Sequence, residues 1–176
     1  MANLLDNRVI LVVDDEEDLR QLLAGMLRRV SESVRVVEAA NGKEALDRMR
    51  ETPPDVVVLD LDMPVMNGYE VIEKIRGQRE TKLIPILVLT AYTQQDAELE
   101  VIDAGANDFL GKPIPFNEFL LRVRALVRVK LQVDEVKEEA RSHRELVQRL
   151  TAIIKRDLGM ERARQMLAEA QRGPES

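Results

Sequence analysis

Cysteine and tryptophan are absent from this 176-residue chain, histidine occurs once (His143), and the only other aromatics are two tyrosines and three phenylalanines. Without thiols, cysteine nucleophiles, disulfide scaffolds, cysteine-ligated zinc and iron–sulfur clusters are excluded. A single imidazole excludes a histidine-rich metal centre. Long apolar runs are missing too: none approaches the roughly 18 residues that a membrane span needs, and the opening MANLLDNRV has no basic, apolar, small-residue signal pattern. The expectation is a soluble, cytoplasmic protein with no membrane span. Positive charge is scarce in the first part: residues 1–128 hold 16 Lys and Arg against 23 Asp and Glu, a net −7, while 129–176 are close to neutral at +1. An acidic surface argues against wholesale binding of a phosphate backbone, which needs neutralising cations. No Pro-, Gly- or Ser-rich linker separates the two parts, so a domain boundary near 128/129 is expected to be crossed by continuous helix.

What is present is a regular alternation. Short β-branched runs recur at Val9–Val13, Val34–Val37, Val56–Leu59 and Ile84–Leu89, with a weaker one at Asp108–Leu110. Between them lie stretches of helical period, such as Leu19, Leu22, Leu23, Met26 and Leu27. Near-continuous apolar strands alternating with helices predict an α/β fold, a parallel sheet covered on both faces. Five such strands suit the doubly wound, flavodoxin-like order 2-1-3-4-5, which puts ligands beyond the C-terminal strand ends.

Those ends carry the chemistry. Strand one runs into Asp14-Asp15, strand three into Asp60 and then Leu61-Asp62-Met63-Pro64, strand four ends at Thr90-Ala91, and strand five leads to Lys112-Pro113. Strands one and three are neighbours in that order, so Asp14, Asp15 and Asp60 converge. Three close carboxylates repel unless a cation sits among them, and few protein oxygens with room for water suit Mg²⁺. A flanking hydroxyl and ammonium complete a phosphoryl site. Attack of the Asp60 carboxylate on phosphorus, giving an acyl phosphate, is the chemistry this permits. Taken singly, each residue has a duller use: Asp15 as a helix N-cap, Asp60 as a turn residue, Thr90 and Lys112 as structural or solvated groups, Phe109 as core. Five positions at four strand ends matching one chemistry decide against that.

The stretches VILVVDDEEDLR, PDVVVLDLDMPVMNG, ILVLTA and AGANDFLGKP, in this order and spacing, resemble a response-regulator receiver domain of two-component signalling over about residues 8–128. The resemblance implies Asp60 as phosphoacceptor, with Asp14, Asp15 and the main-chain carbonyl of Asp62 holding Mg²⁺. It implies Thr90 as the switch hydroxyl, Phe109 as the switch aromatic, Lys112 as the phosphate-contacting lysine and a cis bond at Lys112-Pro113. The partner implied is a sensor histidine kinase, and the protein is expected to be a regulatory phosphoacceptor rather than an enzyme. Asp62 and Tyr92 occupy the two positions that modulate phosphoryl lifetime in the family.

From Phe116 the pattern is helical, with no breaker before Gly159. Leu126, Val133, Ala140, Val147 and Ile154 at heptad position a place Val129, Val136, His143, Leu150 and Asp157 at d, and eight of these ten are apolar. Glu139 at g and Arg144 at the next e suit a parallel pair. A helix over 116–157 would be about 60 Å long. The stripe widens at Leu146–Leu158, and Gly159 is expected to end the helix, with Met160–Ala170 forming a short returning one. The expected output is a homodimer through this helix, or through the face of helix 4, strand 5 and helix 5, that docks a downstream protein. One alternative is a helix-turn-helix over Ile153–Ala170, disfavoured by Lys155, Gln165 and the low charge, so that nucleic acid is not expected. Another is a phosphorelay through His143.

Overall fold

The computed structural model describes residues 3–91 and 95–171, without the side chains of 95–98, 163 and 166–171. Five strands, β1 (Val9–Val13), β2 (Arg35–Ala39), β3 (Val56–Asp60), β4 (Ile86–Thr90) and β5 (Asp108–Gly111), alternate with helices α1 (Glu17–Val30), α2 (Gly42–Glu51), α3 (Gly68–Gly77), α4 (Gln95–Asp103) and α5 (Phe116–Gln171). The strands form one parallel sheet in the order β2-β1-β3-β4-β5. Every residue of β3 and β4 is buried, which is why those strands are continuously apolar rather than alternating.

Two apolar layers cover the sheet. Ala45 and Met49 of α2, Ile72 and Ile75 of α3 and Val101 of α4 pack on one face with Leu11, Leu59 and Val88. Leu23 and Leu27 of α1 and Phe119, Val123 and Val127 of α5 pack on the other, with Ile10, Val58 and Leu89. Leu5, in a segment with no periodic signal, is wholly buried in this second layer. Local chemistry starts the central helices: Asn41 caps α2 by accepting from the Glu44 amide, and Asn67 and Glu70 form a reciprocal capping box at α3. Glu16, not Asp15, stands at the N-cap of α1, and no side chain caps it.

Arg76 of α3 ties the lower part of this face together. Its guanidinium donates to the carbonyls of Gly105, Lys82 and Ile84 and to Asn107 Oδ1, all within 2.8–3.0 Å. Gly105 takes φ +111°, and a Cβ there would stand 3.0 Å from Arg76 Cγ, so glycine is required at that turn.

Two compact units divide the chain at Val133/Asp134. In the first, α5 packs as far as Leu131, which still touches the second core layer. In the second, Gly159 does not end the helix: α5 runs through it to Gln171, and no returning helix forms over 160–170. Glycine in a helix interior costs only about 1 kcal/mol relative to alanine, and breaks a helix when a left-handed C-cap follows. Among the described glycines only Gly105 has positive φ. The helix-turn-helix alternative fails with the same observation. No described helix is long and apolar enough to cross a membrane.

Candidate functional site

Register brings the acidic residues together. Val13 pairs with Leu59, so Asp14 and Asp60 follow side by side at the ends of β1 and β3. Carboxylate oxygens of Asp14, Asp15 and Asp60 all lie within 4.8 Å of one another. Asp14 and Asp60 are buried and Asp15 is exposed. Lys112 reaches in from the end of β5: its Nζ is 3.0 Å from Asp14 Oδ2 and 3.0 Å from Asp60 Oδ1. The Lys112 amide donates to the Thr90 carbonyl at 2.8 Å, which fixes the lysine's loop to the end of β4. The Lys112-Pro113 bond is cis.

The three clustered carboxylates, with Glu16 Oε1 a fourth at 3.9 Å from Lys112 Nζ, face one ammonium, an excess of negative charge that a divalent cation would offset. Burial pushes the Asp60 carboxyl up to about 6, hydrogen bonding from Lys112 restrains the rise, and the charge on Asp14 adds to it. Burial alone would lower the Lys112 ammonium, but its hydrogen bonds to Asp14 and Asp60 outweigh that and hold it above its ordinary value. The site is therefore one in which negative charge is crowded and only partly compensated.

Thr90, the last residue of β4, is buried and pairs with Gly111. Phe109, on β5, pairs with Val88 of β4 and lies partly buried against the α2–α4 layer. Asp62 is exposed in the loop after β3. Tyr92 lies outside the described residues. His143 lies on α5 and is exposed.

Two residues of the site carry no signal in composition or spacing. Arg20, one turn into α1, donates through Nη1 to the main-chain carbonyls of Asp14 (2.8 Å) and Asp15 (3.2 Å), clamping the backbone of the acidic pair. Gly68 starts α3 against the end of β3: its amide donates to Leu61 O, and a Cβ would stand 2.4 Å from the Asp60 carbonyl and 2.8 Å from Leu61 Cα. Both follow from chain folding around Asp60, which a linear pattern does not display. Val65, in the same loop, takes φ +71°, a strained conformation for a β-branched residue.

Residues 10–124 match the response regulator receiver domain family. The chain belongs to it.

Among curated relatives of this receiver, the transcriptional regulatory protein KdpE of Mycobacterium tuberculosis is 38% identical over 133 residues, covering 74% of this chain and 55% of that protein. The transcriptional regulatory protein SrrA of Staphylococcus aureus is 40% identical over 119 residues, covering 68% and 47%. The chain thus spans about half the length of the curated relatives it matches. Among solved structures, the chemotaxis response regulator CheY4 of Vibrio cholerae superposes with a TM-score of 0.63 at 33% identity, covering 68% of this chain and 98% of that one.

Proposed function

We propose that this receiver is a phosphoacceptor switch in which Asp60 takes a phosphoryl group from a phosphohistidine of a sensor kinase. The observation that carries the reading is the buried Asp60 carboxylate at the end of β3, 3.0 Å from Lys112 Nζ and grouped with Asp14 and Asp15. In the transfer an Asp60 oxygen bonds to phosphorus as the donor's N–P bond breaks, and the released imidazole nitrogen keeps the electron pair and is protonated. Lys112, already bonded to Asp60, is placed to meet a phosphoryl oxygen, exchanging one anionic partner for another.

The donor set fits Mg²⁺: the carboxylates of Asp14, Asp15 and Asp60 and the main-chain carbonyl of Asp62 would hold it. When bound, the ion offsets the crowded negative charge of carboxylates and phosphoryl oxygens. Phosphorylation adds about 1.5–2 negative charges and three acceptor oxygens to Asp60. The Thr90 hydroxyl, at the adjoining strand end, would turn to one of them and Phe109 would follow into the space released, changing the α4–β5–α5 face.

The tail, as a dimerising and protein-docking helix, is the output. The relatives named above are called transcriptional regulators, but the near-neutral charge of residues 129–176 and the unbroken helix at Gly159 favour protein contact over nucleic acid here.

Incubation with a small phosphodonor and Mg²⁺ should label the chain; Asp60→Asn, or chelation of the metal, should reduce labelling to background. Labelling of Asp60→Asn at the level of the unaltered chain would overturn the assignment.

A further inference from the structure

From Glu135 to Arg162 every described side chain of α5 is exposed. The apolar ones are unevenly spread. Val136 is the one large apolar residue from 135 to 145, whereas seven fall between Leu146 and Met160, each with 46–63% of its surface exposed. At about 100° per residue they cover a face about 160° wide, with Leu150 near its middle. That window is symmetric about Ile153, so two copies of it bury the most apolar surface when they overlap around that residue.

The polar residues within the face decide the direction of the second copy. On the heptad that places Val147 and Ile154 at a, His143 and Asp157 stand at d and Glu161 at a. In a parallel pair each seam position meets itself, so Asp157 would face Asp157 and Glu161 would face Glu161, like charges in a closed seam. The gain in that arrangement, a Glu139–Arg144 pair, lies at the solvated rim, where ion pairs contribute little. In an antiparallel pair a meets d. With the two-fold axis at residue 152, Leu150 faces Ile154 of the second copy, Val147 faces Asp157, and Glu161 faces His143. The g positions meet each other, bringing Leu146 to Met160 and Ile153 to Ile153. Gly159 falls at f, on the outer face, where a Cβ would meet nothing within 4 Å.

We infer that residues 143–161 of α5 associate antiparallel with the same segment of a second copy of this chain, with His143 donating to Glu161 across the seam. This rests on the dimerising role proposed for the tail, and adds its direction, register and the function of its one histidine. His143 is then a pairing residue that selects orientation and register, not a phosphorelay group.

The absence of cysteine makes the test clean. Full-length His143→Cys and Glu161→Cys chains, mixed and mildly oxidised, should yield a disulfide-linked heterodimer, while each alone stays unlinked. Val147→Cys linking to itself would reveal a parallel seam and overturn the direction; His143→Cys linking to itself would do the same. A monomer by light scattering in the unaltered chain would overturn both the dimer reading and this one, whereas a dimer with the parallel links overturns this one alone. Because those cysteines remove the polar pair, a charge series supplies an independent reading. His143→Glu should raise the dimer dissociation constant by about tenfold or more, since like charges then face each other, and adding Glu161→Lys should restore it. Failure of the second change to restore the dimer would sink the proposed pairing. Asp60 labelling should be unchanged in every one of these variants.

Discussion

Two stretches of the one helix α5 differ in what they bury. Over residues 116–131 α5 buries Phe119, Leu120, Val123, Leu126 and Val127 against the sheet. Over 135–162 the same helix buries none of its described side chains. The first stretch is helical because an apolar face is covered; isolated helices are marginal in water, and most helical stability in proteins comes from such packing. The second has the same backbone, but its described apolar side chains stay exposed, and under the dimer proposed above they would be an association surface instead of a core. An identical secondary structure thus carries two roles, and burial separates them.

The largest test of that contrast is a pair of truncations to alanine. Phe119→Ala should cost the receiver about 3–5 kcal/mol in urea unfolding, since it removes a wholly buried ring. Ile153→Ala should leave the same transition within about 0.5 kcal/mol, because in the single chain that side chain is half exposed. Equal losses would show that the tail contributes to the receiver's core.

Next in size is Gly68→Ala. The added methyl meets main-chain atoms of Asp60 and Leu61, which cannot step aside without moving Asp60. A loss of about 1–3 kcal/mol is expected, together with slower phosphoryl uptake than any tail variant shows. Unchanged uptake would mean that the β3–α3 approach does not position Asp60.

Asp60 itself should show the electrostatic cost of the site. With its folded value near 6 and an ordinary carboxylate value of 3.8 in the unfolded chain, the folded state binds more protons between those limits. Stability therefore falls as pH rises from about 4 to 6 and the ionised group stays strained above that. In metal-free protein, Asp60→Asn should be more stable than the unaltered chain by about 1–2 kcal/mol at pH 7.5, and the difference should vanish towards pH 4. A pH-independent difference would place the cause in packing rather than charge.

The smallest effect belongs to the tail. Gly159→Ala should stabilise the helix by about 0.5–1 kcal/mol, read as increased helical circular dichroism, because the site is helical, outward-facing and free of steric neighbours. Reduced helicity would indicate a turn at that residue after all.

Much of the receiver was legible in the linear pattern. The β1 expectation coincides with Val9–Val13, and β3 differs only in extending to Asp60. Strands buried on both faces must be apolar throughout, and a parallel sheet leaves its loops, with their charged residues, at one end. Asp14, Asp15, Asp60 and Lys112 could be placed together because strand order and a common register suffice to do so. Arg20, Gly68 and Leu5 were not legible: a backbone clamp, a close main-chain approach and a plug in the second layer depend on which loop meets which strand end. The break expected at Gly159 failed for the opposite reason. Glycine's weak local preference against helix is overridden there by continuous helix on either side.

The sequence by itself determined the alternation of strands and helices, the acidic strand ends and the heptad spacing of apolar residues along the tail, since each is a periodicity or spacing written along the chain. Only the tertiary structure decided the electrostatic state of Asp60, raised by burial and held by a lysine 52 residues away in the chain. It also decided where α5 stops being core. Both depend on which surfaces lose contact with water, and that is a property of the packed chain alone.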